Sequence, residues 1–316
     1  MTLRNGFLAA VAAACFAMAG YAQEYPSQPI TIVHGSAAGA PQDGMLRELA
    51  QSIERVAGVS VVVEPRPGGS GQVAMAHVRG QAADGYTIFS DATGITAILQ
   101  MDSAAYALDD FRPLYRIQLD PFALYVNKDS SFQSVDDFVQ AMRDTPEEIR
   151  IGGFGTGTPF HFIALGLAED AEAEPNWVPY NSGADAITAV MADDLDVAIS
   201  NVSVFGRFQE NTRLLAVSSA ERVAAFDHIP TFLEQDYPIM RYHWRGMFLD
   251  ARTPDDVTEQ LHSIIGEAVA SPEFQDFLAR TSTLDGSMTL DEYQQMLDEQ
   301  AASDRAIMIQ LGMIEG

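Results

Sequence analysis

The chain has 316 residues, and its 44 acidic residues against 18 basic ones give a formal net charge of −26 at pH 7. So acidic a surface repels nucleic acid and anionic membranes and argues against both as partners. The one cysteine, Cys15, falls in the leader described next, so the chain downstream of it has neither a disulfide nor a thiol nucleophile.

Arg4 is the only charge in residues 1 to 22, Phe7 to Ala19 is apolar, and Gly20-Tyr21-Ala22 supplies the small residues that a signal peptidase reads. The pattern predicts a secretory signal cleaved near Ala22 and a periplasmic protein, because the apolar stretch is too short to span a bilayer. A lipoprotein anchor at Cys15 is the competing reading, but Ala12-Ala13-Ala14 lacks the usual leucine. The remaining chain of about 290 residues is long enough for two domains. Without Arg4, its 17 basic and 44 acidic residues leave a net of −27, and Lys128 is the only lysine.

Two units of the same build organise this chain. Ile30-Thr31-Ile32-Val33 runs into Gly39-Ala40-Pro41, and Ile149-Arg150-Ile151 runs into Gly157-Thr158-Pro159. Each passes from a β-branched strand through small residues to a proline at a first helical position, where its fixed φ is already helical. Met45, Leu46, Leu49, Ile53 and Val56 then recur at helical spacing after the first unit, and Phe162, Ile163 and Leu167 after the second. Small residues leave backbone N–H groups uncovered at the positive end of the helix dipole, where a carboxylate or phosphate binds. Two such loops predict a two-sided anion clamp; ordinary βα turns are the plainer alternative.

Between the units lie a strand at Val59 to Val63, a glycine-rich loop at Pro65 to Gly71, a helix near Gln72 to Gly80, and strands at Tyr86 to Phe89 and Phe122 to Val126. A capping box at Ser134 to Asp137 then opens a helix. After the second unit come Trp177 to Tyr180, a helix near Asp185 to Met191, and strands at Leu195 to Ile199 and Leu214 to Val217. Late helices begin at Thr253-Pro254, Ser271-Pro272 and the capping box Thr289 to Glu292. The alternation predicts an α/β fold with parallel sheets and ligands at the carboxyl ends of the strands.

Other chemistries lack their residues. The histidines at 34, 77, 161, 228, 243 and 262 have no metal-ligand spacing, and no serine has the Gly-x-Ser-x-Gly setting of a hydrolase. Gly35-Ser36-Ala37-Ala38-Gly39-Ala40 is not the Gly-x-Gly-x-x-Gly of a dinucleotide-binding enzyme. No cofactor or metal is therefore expected. Arg66 reads as an ion-pairing residue of a tight turn rather than a ligand contact, Asp43 as a helix cap with recognition of a ligand amine or hydroxyl as the alternative, and His34 as the end of a buried strand with a place facing the cleft as the alternative.

Ile30 to Asp43, Val61 to Gly68 with Gly71, Asp84 to Thr87, Gly155 to Thr158 with His161, and Val178 to Tyr180 resemble, in order, the motifs of the Bug (TctC-type) periplasmic receptors of tripartite tricarboxylate transporters. So do Leu214 to Val217 with Arg222, Ile229 to Thr231 with Glu234, Trp244 to Gly246, and Thr253-Pro254. The resemblance runs from residue 25 to the C-terminus.

It implies a two-domain Venus-flytrap fold (type II periplasmic binding protein) with the ligand cleft between the domains. Domain one comprises 23–123 with 237–316, and domain two 124–236. The implied role is a monomeric, non-enzymatic receptor that carries an organic carboxylate, aliphatic or aromatic, to integral-membrane transporter subunits. A receptor for a membrane sensor kinase is the alternative. Carried onto this chain, the ligand contacts are Ser36, Ala38, Gly39, Ala40, Gln42 and Asp43 in the first loop and Gly155, Thr156, Gly157 and Thr158 in the second. His161, Tyr180, Ser200 and Asn201 are the neighbours. The first loop departs from the family by lacking its aromatic residue, so a bulkier or more polar ligand is expected.

Overall fold

The structure, a computed structural model, describes residues 25–316. The expected signal segment lies outside the described residues.

Strand β1 (Ile30–His34) pairs in parallel with β2 (Val61–Pro65) and β3 (Thr87–Ala92). Helix α1 (Pro41–Ala57) fills the first crossover with proline at its start, and Gly58 caps its end at φ 70°. Short α2 (Gln72–Arg79) and α3 (Ile95–Ile98) flank β3. The chain then enters β4 (Phe111–Asn127), a strand of 17 residues.

Strand β4 spans both halves of the molecule. Its first part, to Pro121, pairs antiparallel with the later β9 (Tyr242–Asp250); from Phe122 its partners are β7 (Val197–Asn201) and β8 (Thr212–Val217). The second sheet continues through β5 (Arg150–Phe154), which runs parallel to β6 (Asn176–Tyr180) and β7. Helices α4 (Val135–Asp144), α5 (Pro159–Asp170) and α6 (Gly183–Met191) accompany it. Arg241 donates its N–H to the Ser218 carbonyl, and from Tyr242 the chain runs back along β4. Helices α7 (Asp255–Val269) and α8 (Pro272–Arg280), short β10 (Leu284–Asp285) and the long α9 (Leu290–Gln310) follow.

The expectation of purely parallel sheets is corrected here. A chain that leaves one sheet, builds a second and returns must come back beside its own exit, so β4 and β9 form an antiparallel spine. The extension of β4 back to Phe111 was hidden by Pro113 and Pro121, which remove ladder donors. The ladder shifts register between Pro113 and Tyr115, and a bulge is where a strand tolerates proline.

Four of the five apolar residues expected on one face of α1 land where their helical spacing puts them, and Val56, in the last turn, is 37% exposed. Met45, Leu46, Leu49 and Ile53 are buried against Ile30 and Ile32 of β1 and against Leu261 and Ile265 of α7. Cutting Leu46 to alanine there would cost about 2–5 kcal/mol. On the other face of the same sheet, Val33, Phe89 and Phe248 pack with Met75 and with Tyr293 of α9. A separate small cluster joins the two halves: Ala97, Phe162 of α5, Met308 and Ile314. Ser134 with Asp137 and Thr289 with Glu292 form the expected capping boxes of α4 and α9.

Candidate functional site

The first loop leaves β1 at His34, which is fully buried. Its Nε2 donates to Asp43 Oδ1 at 3.1 Å. Asp43 Oδ2 accepts from the Gly39 N–H at 2.9 Å, and Arg47 donates to both carboxylate oxygens at 2.9 Å. The Arg47 guanidinium, with the Gly39 N–H and His34, pulls the Asp43 carboxyl down to about 2. Burial lowers the pKa of His34. Asp43 is thus committed to holding the loop on the first turn of α1.

Ser36 Oγ donates to Gln42 Oε1 at 2.7 Å, Gln42 Nε2 donates to Ser90 Oγ at 3.2 Å, and Ser90 donates to the Gly246 carbonyl at 2.9 Å. This relay consumes the Ser36 proton and leaves its oxygen as an acceptor. Among the described residues nothing accepts from the N–H groups of Ala37 and Ala38.

The second loop follows β5. The Gly155 N–H donates to the Tyr180 carbonyl at 3.0 Å, and Trp177 Nε1 donates to the Gly155 carbonyl at 3.0 Å. His161 stacks on Trp177 with ring centroids 4.7 Å apart, and its Nδ1 accepts from the Gly157 N–H at 3.2 Å. Burial lowers the His161 pKa, which keeps the ring neutral and that nitrogen free to accept. Thr158 Oγ1 donates to the Phe154 carbonyl at 2.6 Å. The N–H groups of Thr156 and Thr158 have no acceptor among the described residues.

A cavity of about 490 Å³ lies between the loops, bordered by Gly35 and Ser36 on one side and by Phe154, Thr156, Gly157 and Thr158 on the other. Of the fourteen residues expected at the ligand, it brings together Ser36, Thr156, Gly157 and Thr158. Ala38, Gly39 and Ala40 form the outer turn of the first loop, and Gln42 and Asp43 brace it from behind. Gly155 and His161 hold the second loop. Tyr180 contributes its carbonyl, Ser200 is buried next to Gly183, and the Asn201 carbonyl accepts from Tyr125 at 2.6 Å. Arg66 pairs with Glu64 at 2.5 Å, as its turn predicts.

Several lining residues were not anticipated. Ser70 and Gly71 come from the loop before α2 and Gln72 from its first turn, Ala97, Ile98, Met101 and Ser103 from around α3, and Met308 and Met313 from the C-terminal region. Exposed Phe154 gives the second loop an aromatic wall, while the first loop has none. Asp91 is the only titratable side chain in the lining, which contains no basic residue. Its Oδ1 accepts from the Ala92 N–H at 2.8 Å, Oδ2 is buried without a partner, and desolvation pushes the carboxyl up to about 7. One signal was available: an acidic residue just past the apolar run Tyr86 to Phe89, at the carboxyl end of a strand in a parallel set.

Comparison with known proteins gives this geometry a context. The family model described as "TctC: Tripartite tricarboxylate transporter family receptor" matches residues 45–313. A Pseudomonas sp. (strain P51) UPF0065 protein from the tcbD-tcbE intergenic region is 28% identical over 286 residues, covering 87% of this chain and 84% of its own. BugT of Bordetella pertussis is 26% identical over 257 residues, 79% of each chain. A ligand-free TctC solute-binding protein from Polaromonas superposes with a TM-score of 0.81 at 23% identity, covering 90% of this chain and 99% of that one. An R. palustris protein solved with adipate gives 0.76 at 24%, covering 92% and 99%. The fold is that of the two-domain periplasmic binding proteins.

Proposed function

This chain belongs to the tripartite tricarboxylate transporter receptor family, a family of periplasmic solute receptors rather than enzymes, and from that premise we propose what it carries and how. It takes an organic carboxylate into the cavity between its two glycine loops and delivers it, as a monomer, to integral-membrane transporter subunits. The observation that carries this reading is that both loops border one cavity and that the N–H groups of Ser36 on one side and of Thr156 and Thr158 on the other, all residues of its lining, have no acceptor among the described residues. Free donors on both sides of the cavity suit a carboxylate, whose oxygens are acceptors only.

The domain boundaries proposed for this role are 23–123 with 237–316 and 124–236, with cleavage of the leader near Ala22. Support comes from β4, whose partners change from β9 to β7 and β8 at Phe122. The adipate held by the R. palustris neighbour is in keeping with a carboxylate of modest length.

A thermal-shift screen of mono-, di- and tricarboxylates tests the reading. A ligand at 100 times its dissociation constant adds about 2.7 kcal/mol to stability, because it binds the native state alone. At least one carboxylate should raise the melting temperature while sugars and nucleosides of similar size leave it unchanged. No response to any carboxylate overturns the proposal.

A further inference from the structure

We propose that Arg241 is the positioning residue of the cleft: its guanidinium, anchored on Asp304 in one half of the molecule, holds Phe162 of the other half and so sets how the two glycine loops face each other. The proposal rests on the two-sided cleft and not on the identity of the ligand.

Arg241 stands where the chain returns from the second half. Its N–H donates to the Ser218 carbonyl at 3.1 Å and its own carbonyl accepts from Ser218 Oγ, which fixes its backbone at the end of β8. Its Nη1 donates to Asp304 Oδ1 of α9 at 3.1 Å, and the Asp304 side chain is fully buried. A carboxylate taken wholly out of water needs that cation, so the guanidinium is held in place from behind. Its central carbon lies 5.3 Å from the centroid of the Phe162 ring on α5. That is within the range of a cation–π contact, which gains strength where water is excluded, and Phe162 is buried.

Both ends of this contact lead to the cavity. Asp304 Oδ2 accepts from Thr96 Oγ1 of α3 at 2.6 Å, and Gln300 Nε2 donates to the same Thr96 oxygen at 2.8 Å and to the Thr93 carbonyl at 2.9 Å. Ala97 and Ile98, the next two residues of α3, line the cavity, as does Met308 one turn beyond Asp304. On the other side the Phe162 N–H donates to the Thr158 carbonyl at 3.0 Å, so the ring sits one turn into the helix that carries the second loop. Cavity walls from both halves are thus tied to one guanidinium.

The apolar cluster of Ala97, Phe162, Met308 and Ile314 also joins the halves, but apolar contacts have no preferred direction and survive small slides of α5 past α9. A planar guanidinium fixed by a buried carboxylate restricts where the ring can sit. If Arg241 served only to neutralise Asp304, any apolar side chain would do at position 162. Holding the halves together before ligand arrives raises the fraction of protein competent to bind, and the apparent dissociation constant is the intrinsic one divided by that fraction.

The test is made without ligand. The chain has no cysteine after Cys15, and Asp102, just past α3, and Glu169, on α5, are both exposed. Spin labels on Asp102→Cys and Glu169→Cys report the separation of α3 from α5 by pulsed dipolar spectroscopy. The otherwise unchanged protein should show a short-distance population, and Phe162→Leu should reduce it at least about threefold. Arg241→Lys, which keeps a charge opposite Asp304, should reduce it as well, and the double variant should lose no more than the larger single loss because both changes break one contact. If adipate binds, its dissociation constant should rise by the factor by which the population falls. Absence of a short-distance population in the unchanged protein, additive losses, or a folded Phe162→Leu protein that melts at lower temperature with its distances unchanged overturns the proposal. Those results leave the carboxylate reading standing, and a blank carboxylate screen with the distances as expected removes that reading alone.

Discussion

Thr158 is where the clamp is most open to a single substitution. Its hydroxyl proton is committed to the Phe154 carbonyl at 2.6 Å, so the only donor it offers a ligand is its backbone N–H. Thr158→Pro removes that N–H and pulls φ from −111° toward the −65° of proline. Hydrogen bonds to charged groups contribute about 1.5–3 kcal/mol, so affinity for the best carboxylate of the screen should fall by about ten- to 150-fold. Thr158→Val separates the two roles: it keeps the N–H and loses the Phe154 bond, so it should lower the melting temperature more than the affinity. Titration calorimetry measures binding, and circular dichroism verifies the fold. A folded Thr158→Pro protein with wild-type affinity, or a Thr158→Val protein as impaired as Thr158→Pro, would refute the assignment of the N–H as the contact.

Acid should weaken the first loop through Asp43. Its carboxyl is held at about 2 in the folded protein against 3.8, so its contribution is complete above the unfolded value and is lost as pH falls through the folded one; the urea-unfolding gap between wild type and Asp43→Asn should shrink by roughly 1 kcal/mol from about pH 5 to about pH 3, and a constant gap contradicts this. Gly35→Ala places a Cβ 2.7 Å from the Gly71 Cα, which is backbone and yields poorly. A loss of about 1–3 kcal/mol in urea unfolding is expected, and an unchanged midpoint would show that the two loops are less tightly apposed. Small-angle scattering at saturating ligand should give a smaller radius of gyration than without it, since a carboxylate held from both sides makes all its contacts only when the cleft is closed. An unchanged radius would mean that the unliganded cleft is already shut.

What the residues alone determined is what short stretches of chain decide for themselves. Pro41 and Pro159 mark the starts of α1 and α5, the capping boxes at Ser134 and Thr289 mark those of α4 and α9, and helical spacing identifies the buried face of α1. Those signals act within a turn or two, so both loops and much of the α/β order were legible. Family motifs added the two-domain fold and the receptor class. Tertiary structure decided what depends on neighbours distant in sequence. The antiparallel spine of β4 and β9 joins residues more than a hundred positions apart, and two prolines disguise its first half. Met308 of α9 and Met313 just beyond it line the cavity although both lie far from the two loops in sequence. Ser36 and Thr158 looked like ligand donors by residue type, but each hydroxyl gives its proton to a protein acceptor. Asp91 stands out only once folding has buried Oδ2 without a partner, because the charge state of a carboxyl depends on what the rest of the chain packs around it.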